Sequence, residues 1–159
     1  MGGIEKIANP EIYEITEENG KVVMHSGTKD GKTAAGKIAS GSDGLAFYFQ
    51  QIPANKDFTI SATAAVLNAT KNNQVSFGLM VRDDVHIDKY DNQVKSDYVA
   101  AGCLKLAKGE GAWSSTFARL DGTLNENTVQ KQEFPAAGTK IDLSITKSGD
   151  TYTVKFGKD

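Results

Sequence analysis

Cysteine is nearly absent from this chain of 159 residues: Cys103 stands alone, so no disulfide can form within it. A nucleophilic thiol would need a histidine in reach, and only His25 and His86 are available. Structural zinc sites need four Cys or His ligands at tight spacing, and the chain does not supply them. Cys103 therefore reads as a small buried hydrophobe on a strand. Charge of one sign is also lacking. Eighteen Lys and Arg stand against 20 Asp and Glu, a net charge of −2, which gives no basic face for nucleic acid. No apolar run approaches the roughly 20 residues that span a bilayer. The N-terminus has no signal-like apolar stretch, so secretion would depend on a leader removed ahead of residue 1. What is present, 39% hydrophobic and 24% charged residues, is ordinary for a globular protein. The length suits one domain over 1–159, with residues 1–36 supplying a hairpin and a glycine-rich connection within it.

Apolar residues recur with a period of two, and helical periodicity is scarce. Ile12–Ile15 and Lys21–Met24 flank Glu17-Glu18-Asn19-Gly20, a hairpin signal because Asn and Gly tolerate positive φ. Further strands are expected near Lys37–Ala39, over Leu45–Gln51 and over Phe58–Val66, then across Asn72–Arg82 and Tyr98–Leu104. A turn of helix fits only Lys105–Glu110. Trp113–Leu120 is a strand closed by Asp121-Gly122, and Thr128–Phe134 is another, stopped by Pro135. Ile141, Leu143, Ile145 and then Tyr152, Val154, Phe156 make a hairpin around Ser148-Gly149-Asp150. Many short strands with polar turns indicate an all-β, antiparallel β-sandwich of jelly-roll type. The chain stops directly after a strand. Either that strand is a tolerated edge, or the sandwich lacks its last strands here.

The most informative stretch is Gln74-Val75-Ser76-Phe77-Gly78-Leu79-Met80-Val81-Arg82-Asp83-Asp84. Val75, Phe77, Leu79 and Val81 alternate on one face. Ser76, Gly78, Met80 and Arg82 occupy the other, a mostly small face ending in a guanidinium. Together with Asp43-Gly44-Leu45-Ala46-Phe47-Tyr48-Phe49, Lys56-Asp57-Phe58-Thr59-Ile60-Ser61-Ala62-Thr63, Ser96-Asp97-Tyr98-Val99-Ala100-Ala101-Gly102 and Phe117-Ala118-Arg119, it resembles a known family. These are the concanavalin-like, laminin-G-like sandwich modules of bacterial polysaccharide-degrading enzymes, in particular those accompanying pectate lyases. The resemblance covers roughly residues 38–156. It implies a secreted carbohydrate-binding accessory role, with a catalytic domain elsewhere in the parent chain. Members carry one or two further strands after the point where this chain ends.

Against that background five residues are candidates for ligand contact. Arg82 can fork onto a carboxylate, and the galacturonate units of pectin carry one each; its alternative is an internal salt bridge to Asp83, Asp84 or another strand's carboxylate. Strand alternation puts Arg119 on one face with Trp113, Ser115 and Phe117, where it would line the same groove or bridge a carboxylate within the fold. Trp113 would offer a stacking platform or else belong to the core. Tyr98 would stack or hydrogen-bond at a groove rim, or pack with its hydroxyl reaching water. Lys105, with Lys89 and Lys108, would supply cations for an acidic polymer, although surface lysines are usually just solvated. No cofactor is implied. Asp83, Asp84, Asp88, Asp91 and Asp97 offer oxygen ligands for a structural calcium but do not follow EF-hand spacing. His86 reads as an exposed loop histidine, and Asn68-Ala69-Thr70 matches a glycosylation sequon by short pattern only. The reading is a non-catalytic module binding an acidic pectin such as homogalacturonan. The alternatives are a jelly-roll polysaccharide lyase and a spacer or protein-interaction domain.

Overall fold

The computed structural model describes residues 3–6, 13–26, 28–29, 32–33, 38, 41, 43, 45–68, 75–88, 93–105 and 112–157. Every regular element among them is a strand: β1 (Gly3–Lys6), β2 (Tyr13–Glu18), β3 (Lys21–Ser26), β4 (Thr28–Lys29), β5 (Lys32–Thr33), β6 (Ala46–Phe49), β7 (Phe58–Ala64), β8 (Ser76–Arg82), β9 (Ile87–Asp88), β10 (Gln93–Val94), β11 (Tyr98–Leu104), β12 (Trp113–Leu120), β13 (Thr123–Gln130), β14 (Ile141–Ser148) and β15 (Thr151–Phe156). All pairings are antiparallel. The all-β expectation holds. The chain divides into two compact units, residues 1–53 with 84–96, and residues 54–83 with 97–159.

The first unit is made of two-stranded ribbons: β1 with β6, β2 with β3, β4 with β5, and β9 with β10. The β2–β3 hairpin turns on Asn19 (φ 52°) and Gly20 (φ 73°), the two positive-φ residues that a two-residue type I′ turn requires. Phe47 and Phe49 stack at 5.6 Å, and the Tyr48 hydroxyl donates to Glu17 Oε2 at 2.6 Å. That bond, with desolvation and the carboxylate charge, raises the Tyr48 pKa. Of the short strand expected near residue 38, only an Ile38–Asp43 bridge is described. Residues 37 and 39, the helical turn over 106–110, and Lys89, Asp91 and Lys108 lie outside the described residues.

The second unit is sandwich-like. A four-stranded sheet in the order β13-β12-β11-β8 faces a three-stranded sheet in the order β15-β14-β7. Between them Ala101, Cys103, Trp113, Ile141, Leu143 and Ile145 form the buried core, with Ile60, Phe77, Leu79, Val81, Val99, Phe134, Val154 and Phe156 packed against it. Alternate residues of β8, β14 and β15 thus turn toward this core, while β11, which contributes Ala101 and Cys103 to it, is buried on its other face as well. Two expectations need correcting. The strand placed at 128–134 is instead Thr123–Gln130, beginning directly after the Asp121-Gly122 turn. It is an edge strand exposed almost throughout, so no buried face imprinted an apolar alternation. Phe134 lies beyond it, its ring edge-on to Phe77 and Trp113. The second correction concerns β12. Its register slips between Ser114 and Thr116, so Trp113 and Arg119 are not on one face despite their even spacing.

Candidate functional site

Three of the five candidates meet in one row across the four-stranded sheet. Tyr98 on β11 pairs directly with Arg82 on β8 and with Arg119 on β12. Directly opposed residues share a face, so both guanidinium groups reach the same ring. Arg82 Cζ lies 5.4 Å from the Tyr98 ring centroid and Arg119 Cζ lies 4.9 Å from it. Phe117 meets the ring edge-on at 6.2 Å. Cation–π contacts of this kind contribute about 0.5–1 kcal/mol when exposed and about 2 kcal/mol when desolvated. Arg119 is 0% and Tyr98 2% exposed, whereas Arg82 is half-buried. Arg82 is therefore the member of the row that solvent reaches, and its Nη1 donates a long contact to Met80 Sδ at 3.6 Å.

The other two candidates stand apart from this row. Trp113 is 2% exposed, inside the core, against Phe134 at 5.7 Å and Phe156 at 5.5 Å. Its Nε1–H donates to the Gln132 carbonyl at 3.0 Å, which satisfies the indole inside the fold. Lys105 follows β11 at the end opposite Tyr98, seven residues along an extended chain, or about 23 Å. Its Nζ sits 5.2 Å from the Phe134 ring centroid. A single monosaccharide cannot touch Arg82 and Lys105 together.

The acidic residues have local duties. Asp97 Oδ2 accepts from the Asp121 amide at 2.7 Å and Oδ1 from the Gly122 amide at 3.1 Å, which fixes the β12–β13 turn. Asp84 Oδ1 accepts from the amides of Val85 (2.7 Å) and His86 (3.0 Å), a local turn of the kind short acidic side chains favour. Among the described residues no three His, Cys, Asp or Glu side chains gather in a metal-binding group. His86 is exposed. Cys103 is fully buried, and desolvation pushes its thiol up to about 12. A shallow groove of about 410 Å³ runs along Ser61, Thr63 and Asp142, where Thr63 Oγ1 donates to Asp142 Oδ1 at 2.7 Å. None of the five candidates lines it.

One residue escaped sequence reasoning. Tyr152 shares its alternation with Val154 and Phe156 and reads as core, yet it is 37% exposed. The only available signal was its place next to the Gly149-Asp150 turn, where a core face runs out.

Comparison with known proteins supplies a family. The model for the pectate disaccharide-lyase N-terminal domain matches residues 7–101, a span that includes Arg82 and Tyr98 but not Lys105, Trp113 or Arg119. The chain is 33% identical over 120 residues to pectate lyase L of Thermoclostridium stercorarium, covering 75% of this chain and 9% of that protein. It is 35% identical over 66 residues to a pectate disaccharide-lyase of Dickeya chrysanthemi, covering 38% of this chain and 9% of that protein. The chain thus spans less than a tenth of these relatives. No solved structure matches it. With more than half of its length inside the matched span, the chain belongs to the pectate disaccharide-lyase N-terminal domain family.

Proposed function

We propose that this chain is a non-catalytic accessory module of a secreted bacterial pectin-degrading enzyme, and that it binds an acidic pectic glycan such as homogalacturonan. Its sandwich-like unit is taken as a concanavalin-like jelly roll. The observation that carries the ligand assignment is the cationic row at Tyr98. Arg82, half-buried at the end of β8, presents a planar fork suited to a uronate carboxylate. Its guanidinium packs against the Tyr98 ring, which Arg119 also contacts. Lys105 would contact a second point on a polymer rather than the same sugar. Tethering such a module to a catalytic domain raises the effective concentration of the enzyme on its polymer.

The burial of Tyr98, Arg119 and Trp113 favours a second reading, in which the row is structural and the module only spaces its neighbours. Affinity electrophoresis against pectins, xylans and glucans separates the two. The binding reading expects retardation by polygalacturonate that weakens in Arg82→Ala. Retardation by no glycan supports the spacer. Unchanged retardation in Arg82→Ala removes the site assignment and leaves the function standing.

A further inference from the structure

The core of the sandwich-like unit ends in a distinctive way. Across the three-stranded sheet, Ile60, Ile145 and Val154 form one directly opposed row, and Ile145 at its centre is 0% exposed. The next row on the same face is Phe58, Lys147 and Tyr152. An aliphatic row there would close the sandwich. This row instead sets two aromatic rings on either side of an ammonium stem, at the mouth between the sheets. Neighbouring strands lie about 4.8 Å apart, so the two rings are roughly 10 Å apart, the scale of a short oligosaccharide lying across the mouth.

Phe58 and Lys147 are half-buried, while Tyr152 is 37% exposed. The two aromatic candidates taken from the sequence, Tyr98 and Trp113, are each 2% exposed and offer no ring face to a ligand. A pyranose stacks its C–H face on an accessible ring, and tyrosine joins an apolar body to a polar tip. We propose that Tyr152, with Phe58 and Lys147 beside it, is a stacking subsite for an uncharged pyranose unit; this rests on the glycan-binding reading and adds a second site to it.

The local charge selects the ligand class. Asp83 at the end of β8 and Asp150 in the β14–β15 turn are both exposed. Desolvation, and then the charges of these two carboxylates, raise the Tyr152 hydroxyl above its ordinary value, so it stays a neutral donor. With Asp57, whose Oδ1 accepts from the Gly149 amide of the same turn at 2.8 Å, three carboxylates against the single Lys147 ammonium leave the mouth negative. That field repels a uronate, whereas carboxylates accept hydrogen bonds from the hydroxyls of a neutral sugar.

The test is titration calorimetry of the whole chain with two probes, an uncharged galactan oligosaccharide and an oligogalacturonate. The proposal expects galactan affinity to fall about tenfold or more in Tyr152→Ala and to stay within about threefold in Tyr152→Phe, with oligogalacturonate affinity unchanged in both. Equal galactan affinity in Tyr152→Ala overturns it. So does a parent chain that binds oligogalacturonate but no galactan, an outcome that leaves the acidic-pectin reading intact. A chain that binds neither probe overturns both readings. Should Tyr152→Ala fail to fold, the ring proton resonances of Tyr152 and Phe58 in the unaltered protein decide. They shift on galactan addition if the subsite exists, and their constancy overturns it.

Discussion

Gly78, one of the small residues of β8, opposes Gly102 of β11. The missing side chains let the two strands approach closely. A Cβ on Gly102 would lie 2.6 Å from Gly78 Cα and against the Phe77 carbonyl oxygen; one on Gly78 would lie 2.7 Å from Gly102 Cα and against the Ala101 carbonyl oxygen. The strands close on each other only because both residues lack a Cβ. Gly102→Ala should therefore destabilise the fold by about 2–4 kcal/mol, read as a lower urea midpoint, because backbone atoms cannot rotate aside. Cys103 supports a second residue-scale prediction. Its pKa is raised from 9.0 to about 12 by burial, so the folded state holds the neutral thiol. At pH 8 the native protein should resist a thiol reagent that reacts at once after unfolding, since the thiolate is the nucleophile. The stabilising preference for the neutral form is complete below pH 9 and is lost as pH climbs from there through about 12.

Among the elements, two hairpin turns in the sandwich-like unit are held by carboxylates from elsewhere in the chain. Asp97 accepts from the amides of Asp121 and Gly122, and Asp57 Oδ1 accepts from the Gly149 amide at 2.8 Å. Each latch joins a turn to a segment distant in sequence, so Asp97→Ala should cost about 1–2 kcal/mol and speed amide exchange at the β12–β13 turn. Strands with apolar residues to bury were legible in the sequence: β8, β11, β12, β14 and β15 lie within the segments expected to be strands. β13 was not, because an edge strand with polar residues on both faces leaves no period to read. Nor could alternation reveal the register slip at Ser114–Thr116. One extra residue exchanges the faces, so the row of Arg82, Tyr98 and Arg119 was recoverable in part, while Trp113 was placed on the wrong side. Tyr152 was hidden for a related reason. Alternation tells which face a residue shares but not where the opposing sheet stops covering it.

The chain belongs to a domain family named for pectate disaccharide-lyases, folds as two compact all-β units, and spans 9% of each of the two relatives it matches. On the proposed function it grips an acidic glycan without cleaving it. On the proposed function, Arg82 makes an ion pair with the glycan near the surface, so affinity for oligogalacturonate should fall as salt rises, through screening over a Debye length of about 10 Å at 0.1 M. Calorimetric titration of the unaltered chain with size-defined oligogalacturonate tests the claim most directly, because one trace reports both association and turnover. The account predicts a saturable binding heat that returns to baseline after each injection. Either a flat trace or a sustained heat of ongoing cleavage would contradict it.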